Sequence, residues 1–264
     1  MTTVEISDEF QIGRVVSRLF DVLIKNAAVF LPIALILQLP VLALSLLGAF
    51  QPELFGKTAA GGINPATLGL FFLVAFAVFI VYASCTYILQ AALVQGSISY
   101  MNDAQPSFGE CLVAGLRYFV PLVVIAILSS LGMMLGFVLL VIPGVILALM
   151  WMVVVPVKVM EATTIRTAFG RSRALTKGHR GAIFLLAIFY FVLAIAVSLA
   201  TRPLFGLPIF SQSAGGMTVP LLVVQWIENT ILVAIAAVGV SSIYYELRLV
   251  KEGVGAQQMA AAFD

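Results

Sequence analysis

His179 is the only histidine in the chain, and it lies between Lys177 and Arg180. Histidine is the commonest metal ligand and a frequent general base, so chemistry is sought there first. A zinc site needs several His or Cys ligands, and none stands near. The two cysteines, Cys85 and Cys111, form no spacing motif and read as small packing residues. His179 is therefore expected to be a surface residue of a basic loop. Ser84, Ser129, Ser130, Ser198, Ser241 and Ser242 sit in apolar runs with no base beside them. Hydroxyls in such runs commonly bond their own helix or a neighbour. No Gly-rich phosphate loop occurs. No catalytic, cofactor or metal site is expected.

Two groups of polar residues remain. The first is Glu228, the one charge within Met217–Tyr245, with Gln225 and Asn229 flanking it at helical spacing. All three are expected to face one way, as an intramembrane polar site. An ionised carboxylate near mid-bilayer costs on the order of 2.5–3.5 kcal/mol on insertion scales, so Glu228 would face the bundle, bonded to Gln or Ser neighbours. The competing expectation follows from length. The segment is about 43 Å long as a helix, against a hydrocarbon core of about 30 Å, and can stand proud with Glu228 and Trp226 at the interface. The second group is basic. Arg166, Arg173, Lys177 and Arg180 line one stripe of segment 161–181, while Ile165, Ala168, Phe169 and Leu175 line another. In segment 10–25, Arg14 and Arg18 oppose Ile12, Val15, Val16, Leu19 and Leu23. Both patterns fit helices at the membrane interface, and these six cations are the expected contacts for lipid headgroups. Helices packed on the end of the bundle would give the same pattern.

The elements that position these groups follow from composition. The 264 residues are 62% hydrophobic and 10% charged, against about 45–50% and about 25% in soluble domains. Too little polar surface exists to cover a soluble globule, and the continuous apolar runs exclude a membrane barrel. An all-α polytopic membrane protein is expected, because helices satisfy their own backbone in lipid. A span takes roughly 20 residues. Asn26–Phe50 supplies the first and Leu68–Gln95 the second. The uncharged block Tyr118–Val157 holds two, about Phe119–Val141 and Gly144–Val157, split at Pro143-Gly144. Ala182–Thr201 is the fifth, and the sixth lies within Met217–Tyr245. Six spans place twelve Lys and Arg on one side and two on the other. Positive charge marks the cytoplasm, so both termini are expected there, in the bacterial inner membrane. Residues 1–25 form an N-terminal amphipathic segment, 26–245 the membrane domain and 246–264 a C-terminal tail. A cleavable signal peptide is not expected, since Glu5, Asp8 and Glu9 come early. Segment 106–119, with Ser107-x-x-Glu110 as a capping box, adds a third short helix. The fold expected is three helical hairpins, each preceded by an amphipathic helix.

Residues 141–184, with Ile142-Pro143-Gly144, Pro156, Glu161, Ala168, Arg171-Ser172 and Leu175-Thr176-Lys177-Gly178, resemble a bacterial six-helix membrane family. It is related to the membrane domain attached to some glycerophosphodiester phosphodiesterases. The ending YYELRLVKEG, 244–253, resembles the tails of the same proteins. The resemblance implies the six-helix fold. No catalytic domain follows Gly253, so the phosphodiesterase activity is not expected to carry over.

The role expected is structural, scaffolding or lipid-contacting. A transporter of a lipid or another amphiphile is the alternative, although coupled transporters usually carry ionisable groups on several spans. The expected partners are membrane lipids, anionic ones above all. A membrane-protein partner or a second copy of the chain stays open as well. Nucleic acid is not expected. Gly132 and Gly136, spaced as small-xxx-small, are expected to pack within the monomer.

Overall fold

The computed structural model describes residues 10–51, 68–204 and 219–253. These residues form ten helices and no strand. Six stretches are long and apolar enough to cross a membrane, so the chain is an all-α, multi-pass membrane protein. Lys57, and the connections 52–67 and 205–218 that contain most of the charge-poor side, lie outside the described residues.

Each pair of spans follows a short helix. Helix α1 (Ile12–Lys25) precedes α2 (Ala27–Phe50) and α3 (Leu68–Met101). Helix α4 (Phe108–Arg117) precedes α5 (Phe119–Leu139) and a broken span made of α6 (Val141–Trp151) and α7 (Val154–Met160). Helix α8 (Ile165–Thr176) precedes α9 (Arg180–Leu204) and α10 (Val219–Glu252).

The breaks have local causes. Asn26 separates α1 from α2 and returns its side-chain amide to the Val22 carbonyl at 2.9 Å. The α5–α6 break falls at Leu140, which is extended at φ −167°, three residues ahead of the expected Pro143. A proline is tolerated in the first turn of a helix, where no intrahelical partner awaits its missing N–H. Pro143 therefore fits in the first turn of α6, which begins at Val141. Gly136 and Gly144 let the hairpin close: a Cβ on Gly136 would lie 3.0 Å from Gly144 Cα. A Cβ on Gly132 would lie 2.5 Å from the Trp151 ring, so both small residues of that motif face α6 of the same chain. Pro156 cannot donate to the Met152 carbonyl, and the helix loosens at Met152–Val153. Ser172 on α8 donates to the Met150 carbonyl there at 2.7 Å.

The core is continuous through α3 and α10. One cluster joins Val15, Ile98, Leu122, Val153, Leu175, Tyr244 and Leu247. The other joins Val22, Phe30, Ile33, Leu89, Leu93 and Val238. The large apolar side chains left outside, such as Phe72, Leu139, Phe191 and Val192, lie on the spans, where lipid is the solvent. Cys85 and Cys111 are free and buried. Burial pushes the Cys111 thiol up to about 11, helped by the nearby Glu110 charge. Ser107 caps α4 without a side-chain bond to the helix, so the expected capping box does not form.

Candidate functional site

Helices α1 and α8 meet the last turns of α10 at one end of the bundle. That basic end contains two ionic clusters. In the first, Glu246 is fully buried and receives Arg14 at 2.6 Å and Arg18 at 3.1 Å. Arg18 also stacks its guanidinium over the Tyr245 ring at 4.7 Å. Arg14 and Arg18 were expected on the outer, headgroup-facing side of α1. The structure turns them onto Glu246, while Val15 and Val22 provide the buried face of the helix. The boundary expected at 245/246 falls inside α10, because Glu246 is neutralised and the helix continues to Glu252.

The second cluster joins α8, the turn after α7 and the end of α10. Arg171 on α8 holds Glu161 at 3.0 Å and also pairs with Glu252. Arg248 holds Glu252 at 2.8 Å. The Tyr244 hydroxyl donates to Glu161 at 3.0 Å. Burial works to lower the Arg171 pKa, yet the Glu252 and Glu161 carboxylates outweigh it and raise the guanidinium above its ordinary value. Lys251 donates to the carbonyls of Ala174 and Lys177, at 2.5 and 2.6 Å. It thereby caps the last turn of α8, where a cation meets the negative end of the helix. Sequence reasoning missed these pairings. The signal available was three glutamates, Glu161, Glu246 and Glu252, standing among a large excess of basic residues.

The other four expected headgroup contacts behave differently. Thr164 caps α8, its hydroxyl accepting from Thr167 N at 3.3 Å. The helix buries Ala168, Ser172, Leu175 and Thr176 against the protein. Arg166, Arg173 and Lys177 are exposed and share one stripe, while Arg180 is half-buried. Gly178, at φ +94°, turns the chain after α8, so Arg180 opens α9 instead of extending the stripe. Among the described residues none of the four makes an ion pair, and Arg180 Nε is buried without a hydrogen-bond partner. The other cations at this end are engaged. Lys25 pairs with Asp21 at 2.7 Å, Lys158 donates to the Thr163 carbonyl, and Arg117 lies over the Tyr118 ring. His179 stacks on Phe10 at 5.6 Å. Burial lowers its pKa, and the Lys251 charge adds to the shift.

The expected intramembrane group is only partly assembled. Glu228 is half-buried on α10 and faces α9, where the hydroxyls of Ser198 and Thr201 donate to its two oxygens, the latter at 2.9 Å. Gln225 is exposed, Asn229 is half-buried, and no hydrogen bond among the described residues joins either to Glu228. Their positions lie roughly 60° and 100° around the helix from it, at about 100° per residue. Trp226 turns toward α2 and donates to the Gln38 carbonyl at 2.8 Å. The Gln38 side chain is itself buried with no partner.

No group of three or more His, Cys, Asp and Glu that could hold a metal occurs among the described residues. Comparison of the chain with family models, with curated proteins and with solved structures returns no match.

Proposed function

We propose that this protein is a structural, lipid-contacting component of the bacterial cytoplasmic membrane, with both termini in the cytoplasm, and that segment 166–180 holds anionic headgroups. One observation carries the reading. Arg166, Arg173, Lys177 and Arg180 have no carboxylate partner among the described residues, whereas Arg14, Arg18, Lys25, Arg171 and Arg248 each pair with one, and Lys158 and Lys251 bond backbone carbonyls. Four cations so placed are available to phosphate, each worth roughly 1 kcal/mol near an anionic surface before screening. The charge division supports the orientation. The six-helix kinship with phosphodiesterase membrane domains belongs to the same proposal, with a supporting rather than catalytic role.

The test replaces all four cations with Gln and measures co-purifying lipids by native mass spectrometry. The preference for anionic species should disappear while the fold and topology persist. An unchanged lipid profile would leave these residues only a part in orienting the chain. Orientation is tested by cysteine labelling in a background lacking Cys85 and Cys111. Reagent added outside should reach positions 60 and 212 and spare positions 173 and 258.

A second reading, a transporter of a lipid or other amphiphile, is favoured by Glu228 alone. It is a carboxylate held by neutral hydroxyls between two spans. Glu228→Gln would then alter a pH-dependent lipid movement in vesicles without unfolding the protein.

A further inference from the structure

Beneath α1, between α9 and α10, lies a lateral cavity of about 260 Å3. Leu19 lines it from α1, Met152 from the α6–α7 break, Leu186 and Tyr190 from α9, and Ala236 and Gly239 from α10. No charged side chain contributes to the lining. Its one hydroxyl, that of Tyr190, is already spent on the Leu232 carbonyl at 3.1 Å. Water therefore finds none of the two to four polar partners it needs in a buried site. Whatever fills this space is hydrocarbon.

The fold indicates which hydrocarbon. Two of the walls are spans, and Phe189, which lines the cavity, is 45% exposed, so the space opens sideways to the bilayer. A segment of the same chain is a poor occupant: the nine residues before Phe10 include Glu5, Asp8 and Glu9. At the basic end, α9 begins with Arg180, about 9 Å along the axis from Leu186. Arg180 makes no ion pair among the described residues, and its buried Nε has no acceptor. An apolar slot within the span and an unsatisfied guanidinium about 1.7 turns away along α9 match the two ends of one molecule.

We propose that the cavity holds one acyl chain of a phospholipid whose phosphate lies at Arg180, as a resident ligand distinct from the surrounding bilayer. The headgroup half rests on the lipid-contact reading above; the chain half rests on the cavity alone. Helix α1 covers the chain, because Val15, Val16 and Leu19 all line the space. Clamping of α1 by Glu246 therefore also retains the lipid.

The experiment uses the full chain in vesicles of phosphatidylethanolamine and phosphatidylglycerol. A trace of either lipid carries a photoactivatable diazirine in its acyl chain. Adducts should concentrate on the peptides containing Met152, Tyr190 and Gly239, above the level at lipid-facing Phe72 and Leu139. Ala236→Leu fills the slot, and Gly239→Ala does so more gently, since its new methyl would meet only the mobile tip of Leu19 at 3.1 Å. Cavity adducts should fall about tenfold in Ala236→Leu, as exclusion of two methylenes already implies. Arg180→Gln should weaken retention of the native lipid through detergent washing. Adducts spread evenly over lipid-facing residues in the unaltered protein would overturn the proposal even if no variant folds. Adducts indifferent to both filling variants would overturn it as well, as would a cavity crosslinked to a second copy of the chain. The two readings fail separately. Cavity adducts that survive the four-Gln variant with an unaltered lipid profile sink the headgroup reading, and with it the Arg180 half of this proposal, and leave the acyl-chain half standing. A lost anionic preference without cavity adducts sinks this one alone.

Discussion

Glu246 and Glu228 stand on the same helix, about 27 Å apart at helical rise, and meet opposite surroundings. Glu246 is fully buried and answered by two guanidinium groups from the far end of the chain. Glu228 is half-buried and answered only by hydroxyls from the adjacent span. The difference shows where this protein uses ionic contacts. At the basic end, full charges lock two short helices, α1 and α8, onto α10. Inside the span, a lone carboxylate is met by neutral donors, and among the described residues the polar links between α9 and α10 are hydrogen bonds without an ion pair, beside the apolar packing of Ile183 and Leu186. The firmly clamped end is therefore the one bearing α1 and α8, and the cavity lies just below it.

The comparison breaks first at Glu246. Glu246→Ala leaves Arg14 and Arg18 facing an empty site, and removing one partner of a buried pair typically costs about 3–5 kcal/mol. The low end is expected, since both arginines keep some exposure. Thermal unfolding in detergent should show the loss. Combining the change with Arg14→Gln and Arg18→Gln should restore part of it. If Glu246→Ala unfolds no earlier than Glu228→Ala, the clamp does not exist.

A neutral bond at the same end separates charge from burial. Ser172→Ala strips the Met150 carbonyl of its donor at the α6–α7 break. An unsatisfied buried acceptor costs about 1–3 kcal/mol, and the low end is expected because this bond is only part-buried. Equilibrium unfolding should place this variant between the two glutamate variants. A loss as large as that of Glu246→Ala would mean that burial at this end, independent of charge, is the stabilising feature.

Glu228→Gln keeps an acceptor for one hydroxyl and should stay within about 1 kcal/mol of the parent. A larger drop on the same unfolding curve would make Glu228 a second clamp and erase the contrast.

The smallest effect concerns pH at the basic end. The pKa of His179 is depressed in the folded protein by burial and then by Lys251. Between that lowered value and about 6.5, the ordinary value in the unfolded chain, the unfolded state binds more protons, so stability rises with pH. The contribution is complete above about 6.5 and is lost as pH falls through the depressed value. His179→Phe, which preserves an aromatic stack on Phe10, should flatten melting temperature against pH in this window. A parent profile already flat there would remove His179 from the account.

Much of the scaffold was legible because it follows from local chemistry. Uninterrupted apolar runs located all six spans, although α3 and α10 run six and seven residues beyond their expected ends, to Met101 and Glu252, and the short helices before each pair of spans showed in the stripes of their sequence. The misplaced break at Pro143 marks the limit of local reading, since proline can end one helix or begin the next. The candidate site was less legible. Glu228 stood out by isolation, but its partners Ser198 and Thr201 come from another span. Its near neighbours Gln225 and Asn229 point elsewhere.

The sequence by itself determined that this chain is a helical membrane protein with six spans and a surplus of positive charge near α1 and α8. Those properties depend on composition and on spacing within a few turns. Only the tertiary structure decided which cations are occupied. Arg14 and Glu246 are 232 positions apart, and nothing in either neighbourhood encodes their meeting. Packing α1 and α8 against the end of α10 gave Arg14, Arg18, Arg171 and Arg248 carboxylate partners and left Arg166, Arg173, Lys177 and Arg180 without one among the described residues. The physical reason is range: a hydrophobic run acts on its own segment, whereas an ion pair needs two segments already brought within 4 Å.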